Sequence, residues 1–396
     1  MKFETKTKSL LYGMEFTHGL RRALMSGLVL VYFLSLGFNL VSVTTLFSIS
    51  VIIMTFFEFP TGAIADYDSR KKTIMISFFL MAVAFFGLFI FKDFWLLGAS
   101  WILGDIAWTF YSGAGSAWSI DALNIGKQKS KIVSLISKGY IFENGGNIIG
   151  GLIGLVVIAI NFSFVWLFVS VSQLFMFLIV WKYMEEKNFK PEKVQRGYVM
   201  KALIKAKESF SYIIHKKNKQ LRVLLLGSII GNFTFSAFFI CMPLLFTKLL
   251  GVTPDKLSGI VSLVTAIAIL SPLMAEKVAH KFGIKKSMIS FVALVSVFVI
   301  IFALSKSLIL AIASFAVIKI GLAVVSVVED SAYQHQFDSK LRASLGSVNN
   351  IVWALAFAVS VFLTGYAVNF FGIVPTLIVS GCLVMIEAVV YIWGLK

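Results

Sequence analysis

The chain has 396 residues, 59% of them hydrophobic and only 14% charged, with a formal net charge of +17 and a mean hydropathy of +0.91. A soluble domain is about 45–50% apolar and about 25% charged, and single cores stop growing near roughly 250–300 residues, so lipid is the solvent here and a soluble enzyme is excluded. The basic residues fall in short gaps between apolar runs, which is membrane topology and excludes a nucleic-acid partner.

A membrane-crossing helix needs about 20 apolar residues. Twelve runs meet that length, at 20–38, 41–65, 73–91, 94–120, 132–159, 163–183, 221–247, 257–279, 286–305, 308–330, 343–367 and 372–394. Lipid leaves backbone groups no water to bond, so the runs are read as helices, and barrel strands would alternate in polarity. The start, "MKFETKTKSLLYGMEFTHGLRR", has no cleavable apolar signal and reads as a cytoplasmic end. The second run carries Glu58 and leads into "GAIADYDSRKK", 62–72. In the fourth, Asp105, Thr109, Ser112 and Ser116 fall at spacings that share one helix face, with Trp101 and Trp108 nearby. The fifth holds Tyr140, Glu143, Asn144 and Asn147, then "GNIIGG", 146–151.

The only long polar stretch is 184–220. Within it Val199, Leu203, Ala206, Phe210 and Ile213 recur at helical spacing, an amphipathic helix suited to lie on an anionic leaflet. The seventh run adds Asn232 and Phe233, and the tenth adds Lys319, Ser326 and Asp330. The last holds Glu387, read as a lipid-boundary group. Cys241 and Cys382 lie inside apolar runs, and His18, His215, His280 and His335 are scattered, so no cofactor or metal is expected.

Lys2, Lys6, Lys8, Arg21, Arg22, Arg70, Lys71, Lys72, Lys127, Lys129, Lys131, Lys277, Lys281, Lys285, Lys286, Lys340 and Arg342 fall on one side of such a topology, with the basic stretch 182–222. The other side has Lys92, Lys248, Lys256 and Lys306. Both termini are therefore placed in the cytoplasm of a multi-pass inner-membrane protein. "AHKFGIKK", 279–286, repeats the loop at 62–72 with an offset of 214. That offset pairs Ser69 with Gly283, Lys71 with Lys285, Lys72 with Lys286, Ser100 with Ser314, Ser112 with Ser326 and Asp105 with Lys319. The expected architecture is all-α, twelve transmembrane helices in two pseudo-symmetric six-helix bundles, 1–183 and 221–396, joined by the linker 184–220.

On these features the chain resembles the major facilitator superfamily over essentially its whole length. The loop matches that family's pattern at Gly62, Asp66, Arg70 and Lys71, and departs with Tyr67 and Ser69. "FEFPTG" (57–62) and "SGAGSAW" (112–118) look like a bacterial drug-efflux branch, and "GNIIGG" is similar to the antiporters' glycine element, with Asn147 at its proline. Thr109 stands where that branch carries an arginine. The resemblance implies alternating access, with the loop and Glu58 as a conformational latch and the first, fourth, seventh and tenth helices lining a cavity. Gly62 is read as a point of close helix approach.

Charge at mid-membrane is costly and marks a site. Asp105, Lys319 and Glu143 are the candidate proton-coupling charges, Asp105 and Lys319 either as a switch or as a static pair. Thr109, Ser112, Asn147, Asn232, Trp101, Trp108, Tyr140 and Ser326 are the candidate cavity lining, with Tyr32, Trp118, Phe233 and Trp353 as further aromatics. The expected function is secondary transport of a small solute with protons, by a monomer, with export of drugs or amphipathic metabolites first. Uptake by symport and a non-transporting sensor are alternatives. No phosphate-cradling Gly-Lys-Ser/Thr loop supports ATP drive, and no carboxylate cluster supports a membrane enzyme.

Overall fold

The computed structural model describes residues 3–126, 128–189, 207, 210–213, 215, 218–336 and 342–395. The expected amphipathic positions Val199, Leu203 and Ala206 lie outside the described residues, as do Lys2, Lys127 and Lys340. The helices are α1 (Phe3–Met25), α2 (Leu28–Ser35), α3 (Leu40–Tyr67), α4 (Arg70–Ile90), α5 (Phe94–Ser112), α6 (Ala114–Ala122), α7 (Lys129–Ile160) and α8 (Phe164–Tyr183). Then follow α9 (Lys219–Leu244), which runs into a π-helical turn (Leu245–Leu249), α10 (Pro254–Ala268), α11 (Ser271–Phe282), α12 (Ile284–Ala303), α13 (Leu308–Gln336), α14 (Arg342–Phe371) and α15 (Ile373–Gly394).

Among the described residues, nine helices are long and apolar enough to cross a membrane, where the sequence suggests twelve. The other three runs are broken. The first breaks at Gly27, whose φ of 80° is left-handed backbone that favours glycine. The fourth is interrupted at Gly113. This puts Ser116 on α6, so the one-face stripe with Asp105 does not continue unbroken. The eighth breaks at Ile269–Leu270, just before the proline that opens α11, a residue with no N–H to carry a helix through.

The first run also begins earlier than its hydropathy suggests. α1 starts at Phe3, and Thr7, Leu10, Leu11, Met14, Thr17, His18, Arg21 and Leu24 form its buried stripe. Arg21, assigned by sequence to an exposed basic end, is therefore inside the bundle.

The contacts separate two compact units. The first comprises Met1–Phe38, Ser50–Arg196 and Pro254–Leu263, the second Asn39–Ile49, Gly197–Thr253 and Val264–Lys396. In unit 1, α1 and α7 touch backbone to backbone. A Cβ added at Gly146 would lie 2.1 Å from the Phe16 carbonyl oxygen, at Gly150 2.7 Å from that of Leu20, and at Gly19 1.9 Å from that of Glu143. Small residues allow this approach. Hydroxyls tie the other helices: Ser77 donates to the Ala107 carbonyl at 2.6 Å and Ser170 to that of Ala82 at 2.7 Å. Unit 2 is tied likewise, by Thr234 to the Ser380 carbonyl at 2.9 Å, Ser296 to that of Gly381 at 2.8 Å, and Ser48 to that of Ala358 at 2.7 Å.

The repeated loop performs the same task in each unit. Lys71 Nζ donates to the Met184 carbonyl at 2.8 Å, just past the end of α8. Lys285 Nζ donates to the Leu395 carbonyl at 2.5 Å, just past the end of α15. Each lysine thus caps exposed carbonyls at the C-terminal end of a helix, where the dipole favours a cation.

Candidate functional site

Unit 1 gathers its charges around α1. The α1/α7 contact brings Arg22 to Glu143, 2.7 Å apart. The adjacent residue, Arg21, is buried, with its guanidinium 4.9 Å over the Trp108 ring. Asp105, partly buried on α5, accepts a 2.6 Å hydrogen bond from the buried Ser50 hydroxyl of α3 and acts electrostatically on Arg21. Arg21 donates to Met25 Sδ at 3.1 Å, and among the described residues its Nε has no hydrogen-bond partner. A guanidinium stacked on indole away from water gains about 2 kcal/mol. That contact is far weaker than a full ion pair, so the arginine stays responsive to charge placed near it.

His18, one turn earlier on α1, is buried. Its ring lies 5.0 Å from Phe78, 4.0 Å from Tyr111 and 5.1 Å from Trp108, and among the described residues neither nitrogen has a hydrogen-bond partner. Tyr111 in turn donates to Glu15 at 2.8 Å. His18, Arg21 and Glu15 were missed as site residues because polar groups lower the hydropathy of α1. The i, i+3 spacing of His18 and Arg21, in register with the apolar stripe, was the available signal.

The remaining lining residues divide by unit. In unit 1, Trp101, Thr109 and Asn147 are buried, whereas Ser112 and Tyr140 are exposed. Thr109 is satisfied locally by the Ile106 carbonyl at 2.7 Å. Tyr32 and Trp118, considered as pocket aromatics, instead tie helices, donating to the carbonyls of Leu88 and Glu185 at 2.9 Å each. In unit 2, Lys319 donates to Thr265. Asn232 is buried and donates to the Ser228 carbonyl at 2.9 Å, and Ser326 and Trp353 are exposed. Asp105 and Lys319 belong to different units, and each has its own hydrogen-bond partner.

The latch residues are better resolved by geometry than by motif. Arg70 bonds Asp121 and lies 3.6 Å from Asp66. Ser69, a departure from the family glycine, caps α4 by accepting from the Lys72 N–H at 3.0 Å and donates to Glu186 at 2.6 Å. The serine therefore adds contacts in place of the glycine. Among the described residues a Cβ at Gly62 would meet nothing within 4 Å, so no contact here accounts for the close-approach reading of that residue. Glu58 is exposed on α3 and joins none of these contacts. Glu387, read as a lipid-boundary residue, is buried, 4% exposed, in unit 2. There it sits near Glu329, a carboxylate the sequence reading passed over in favour of its neighbour Asp330.

A sequence profile of the Major Facilitator Superfamily matches residues 11–361. No curated protein sequence matches significantly. Among solved structures, a mutant of the nucleoside transporter NupG is similar over 98% of this chain and 100% of its own, at 16% identity and a TM-score of 0.84. A POT family transporter in complex with 5-aminolevulinic acid is similar over 97% and 95%, at 14% identity and 0.80. A bacterial homolog of the human lysosomal transporter Spinster is similar over 100% and 97%, at 12% identity and 0.77. The all-helical build, the membrane-length helices, the repeated loop and the profile agree: the chain is a multi-pass membrane protein belonging to the Major Facilitator Superfamily, a transporter of that type.

Proposed function

We propose that the protein couples protons to the movement of a small organic solute bearing an acidic group. It does so by alternating access of the halves 1–183 and 221–396 in the cytoplasmic membrane, with both termini inside. The observation that carries this reading is Arg21, a buried guanidinium held on Trp108 and influenced by Asp105 without an ion-pair contact to it. When Asp105 is ionised, its charge offsets that of Arg21. When Asp105 takes a proton, the offset disappears and Arg21 is free to hold the carboxylate or phosphate of a solute. Proton and solute then bind together, which is symport.

Export of drugs by antiport is the competing direction. Part of its support in the sequence was "GNIIGG", beside "FEFPTG" and "SGAGSAW", and packing accounts for the glycines of "GNIIGG": Gly146 and Gly150 admit α1, and Gly151 admits Ser262. A lipophilic cation is also a poor match for an arginine. Glu143, bonded to Arg22, is assigned to positioning α1 rather than to carrying the proton. Organic anions and peptides, named for structural neighbours and bearing carboxylates, are the solutes to try first, with nucleosides as the neutral comparison.

The test is purified protein in liposomes with a pH dye inside. A solute panel of organic acids, dipeptides, nucleosides and ethidium is added outside. An acidic solute should acidify the lumen with wild type and not with Asp105→Asn. Proton movement driven by ethidium, with none for any acid, would refute the reading.

A further inference from the structure

We propose that unit 2 contains a binding site for a small hard monovalent cation, sodium, formed by Glu329 and Glu387 with the hydroxyls of Ser228 and Tyr391. Three helices each supply residues one turn apart. α13 carries Glu329 and Tyr333, α15 carries Glu387 and Tyr391, and α9 presents Gly227 and Gly231 with Ser228 between them. The two Glu-x-x-x-Tyr pairs thus face one glycine-edged strip. A Cβ on Gly231 would lie 3.1 Å from Glu387 Oε2, and one on Gly227 would lie 2.1 Å from Tyr391 Oη. The glycines make the room these two side chains occupy. Ser228 donates to Glu329 and lies 3.2 Å from Tyr333 Oη.

Two features point to a cation. First, among the described residues no ion pair reaches either glutamate, although Glu387 is 4% exposed and Glu329 is partly buried beside it, with Asp330 adding further negative charge. Buried charge needs a compensating partner. Second, Tyr391 is fully buried with its hydroxyl near both carboxylates, yet among the described residues it completes no hydrogen bond of good geometry. Buried polar atoms are ordinarily satisfied. An oxygen-coordinated ion between the acids would take the Tyr391 oxygen as a further ligand.

The donor set selects the ion. It is all oxygen, with no histidine or cysteine, which disfavours a transition metal. Among the described residues no three His, Cys, Asp or Glu side chains gather. Calcium takes six to eight oxygens, usually with more carboxylate than two glutamates supply. Glu329, the partly exposed member, gives the entry side, and Glu387 with Tyr391 closes the inner side.

The experiment is thermal unfolding of the purified full-length protein in detergent, in sodium, potassium or choline chloride at one ionic strength, with binding of radioactive sodium measured alongside. Sodium should raise the unfolding temperature by about 2–4 °C over choline. It should bind wild type and not Glu387→Gln. Tyr391→Phe keeps the ring and removes only the oxygen, so it should fold like wild type in choline and lose most of the sodium shift. Three results would overturn the proposal: a shift with pH and none with sodium, which assigns a shared proton; an equal or larger effect of calcium; or an undiminished sodium shift in Tyr391→Phe together with Glu329→Gln.

Discussion

The two units solve the problem of enclosed charge in opposite ways. Unit 1 mixes signs: Arg22 with Glu143, Arg70 with Asp121, and Arg21 under the influence of Asp105. Unit 2 sets Glu329 and Glu387 near each other with hydroxyls, and among the described residues no cationic side chain is bonded to either. The packing differs in the same sense. Unit 1 fixes its charges by pressing backbone on backbone at Gly19 and Gly146, whereas at Gly227 unit 2 fills the glycine notch with the end of a tyrosine. The two units share the lysine-to-helix-end contact of Lys71 and Lys285 and differ in the charges they enclose, so the repeat keeps a scaffold element without fixing the charge pattern inside it.

The sharpest way to break the comparison is at those glycines. Gly146→Val forces a side chain into the Phe16 carbonyl, which cannot step aside, so unit 1 should lose about 3 kcal/mol or more in unfolding measurements. Gly227→Ala meets the ring end of the buried Tyr391, a side chain rather than backbone, and should cost about 1–3 kcal/mol. Gly62→Ala, in open space, should fall within about 0.5 kcal/mol of wild type.

Next in size is the charge test. Arg21→Ala removes the buried partner of Asp105 and should lower transport by about a hundredfold, the equivalent of about 2–3 kcal/mol. Arg22→Ala removes a side chain that is 65% exposed and should cost under about 1 kcal/mol of stability. Equal losses of transport in the two variants would erase the distinction between a coupling arginine and a positioning one.

Smaller effects probe the repeat itself. Ser69→Ala loses the α4 cap and the bond to Glu186, about 1 kcal/mol. Lys71→Ala and Lys285→Ala should each cost about 1 kcal/mol and by similar amounts, since each removes a charged donor from helix-end carbonyls. The smallest effect is at Glu185, whose carboxyl is held below its ordinary range by the hydrogen bond from Lys6. A carboxyl lowered on folding stabilises above its unfolded range and loses that contribution as pH falls. Lys6→Ala should therefore matter slightly near neutrality and not at all in strong acid.

The helices, the two-fold repeat and the family loop were legible because long apolar runs and a fixed offset survive in sequence. Three kinds of feature were not. Helix breaks at Gly27, Gly113 and Ile269–Leu270 depend on single residues inside apolar runs. Arg21 was counted only among the basic residues of one side and His18 only among scattered histidines, because hydropathy averages over the buried stripe of α1. Glu387 was taken for a lipid-boundary residue because its partners, Glu329 and Gly231, lie 58 and 156 positions away, beyond any local pattern.

The most direct test of the central claim uses Asp105→Asn once a transported acid is in hand. Exchange of labelled for unlabelled solute needs alternating access but no net proton movement, whereas accumulation driven by a pH gradient needs the proton carrier. The account predicts that Asp105→Asn retains exchange and loses accumulation. Accumulation equal to that of wild type would contradict it and remove Asp105 from proton coupling.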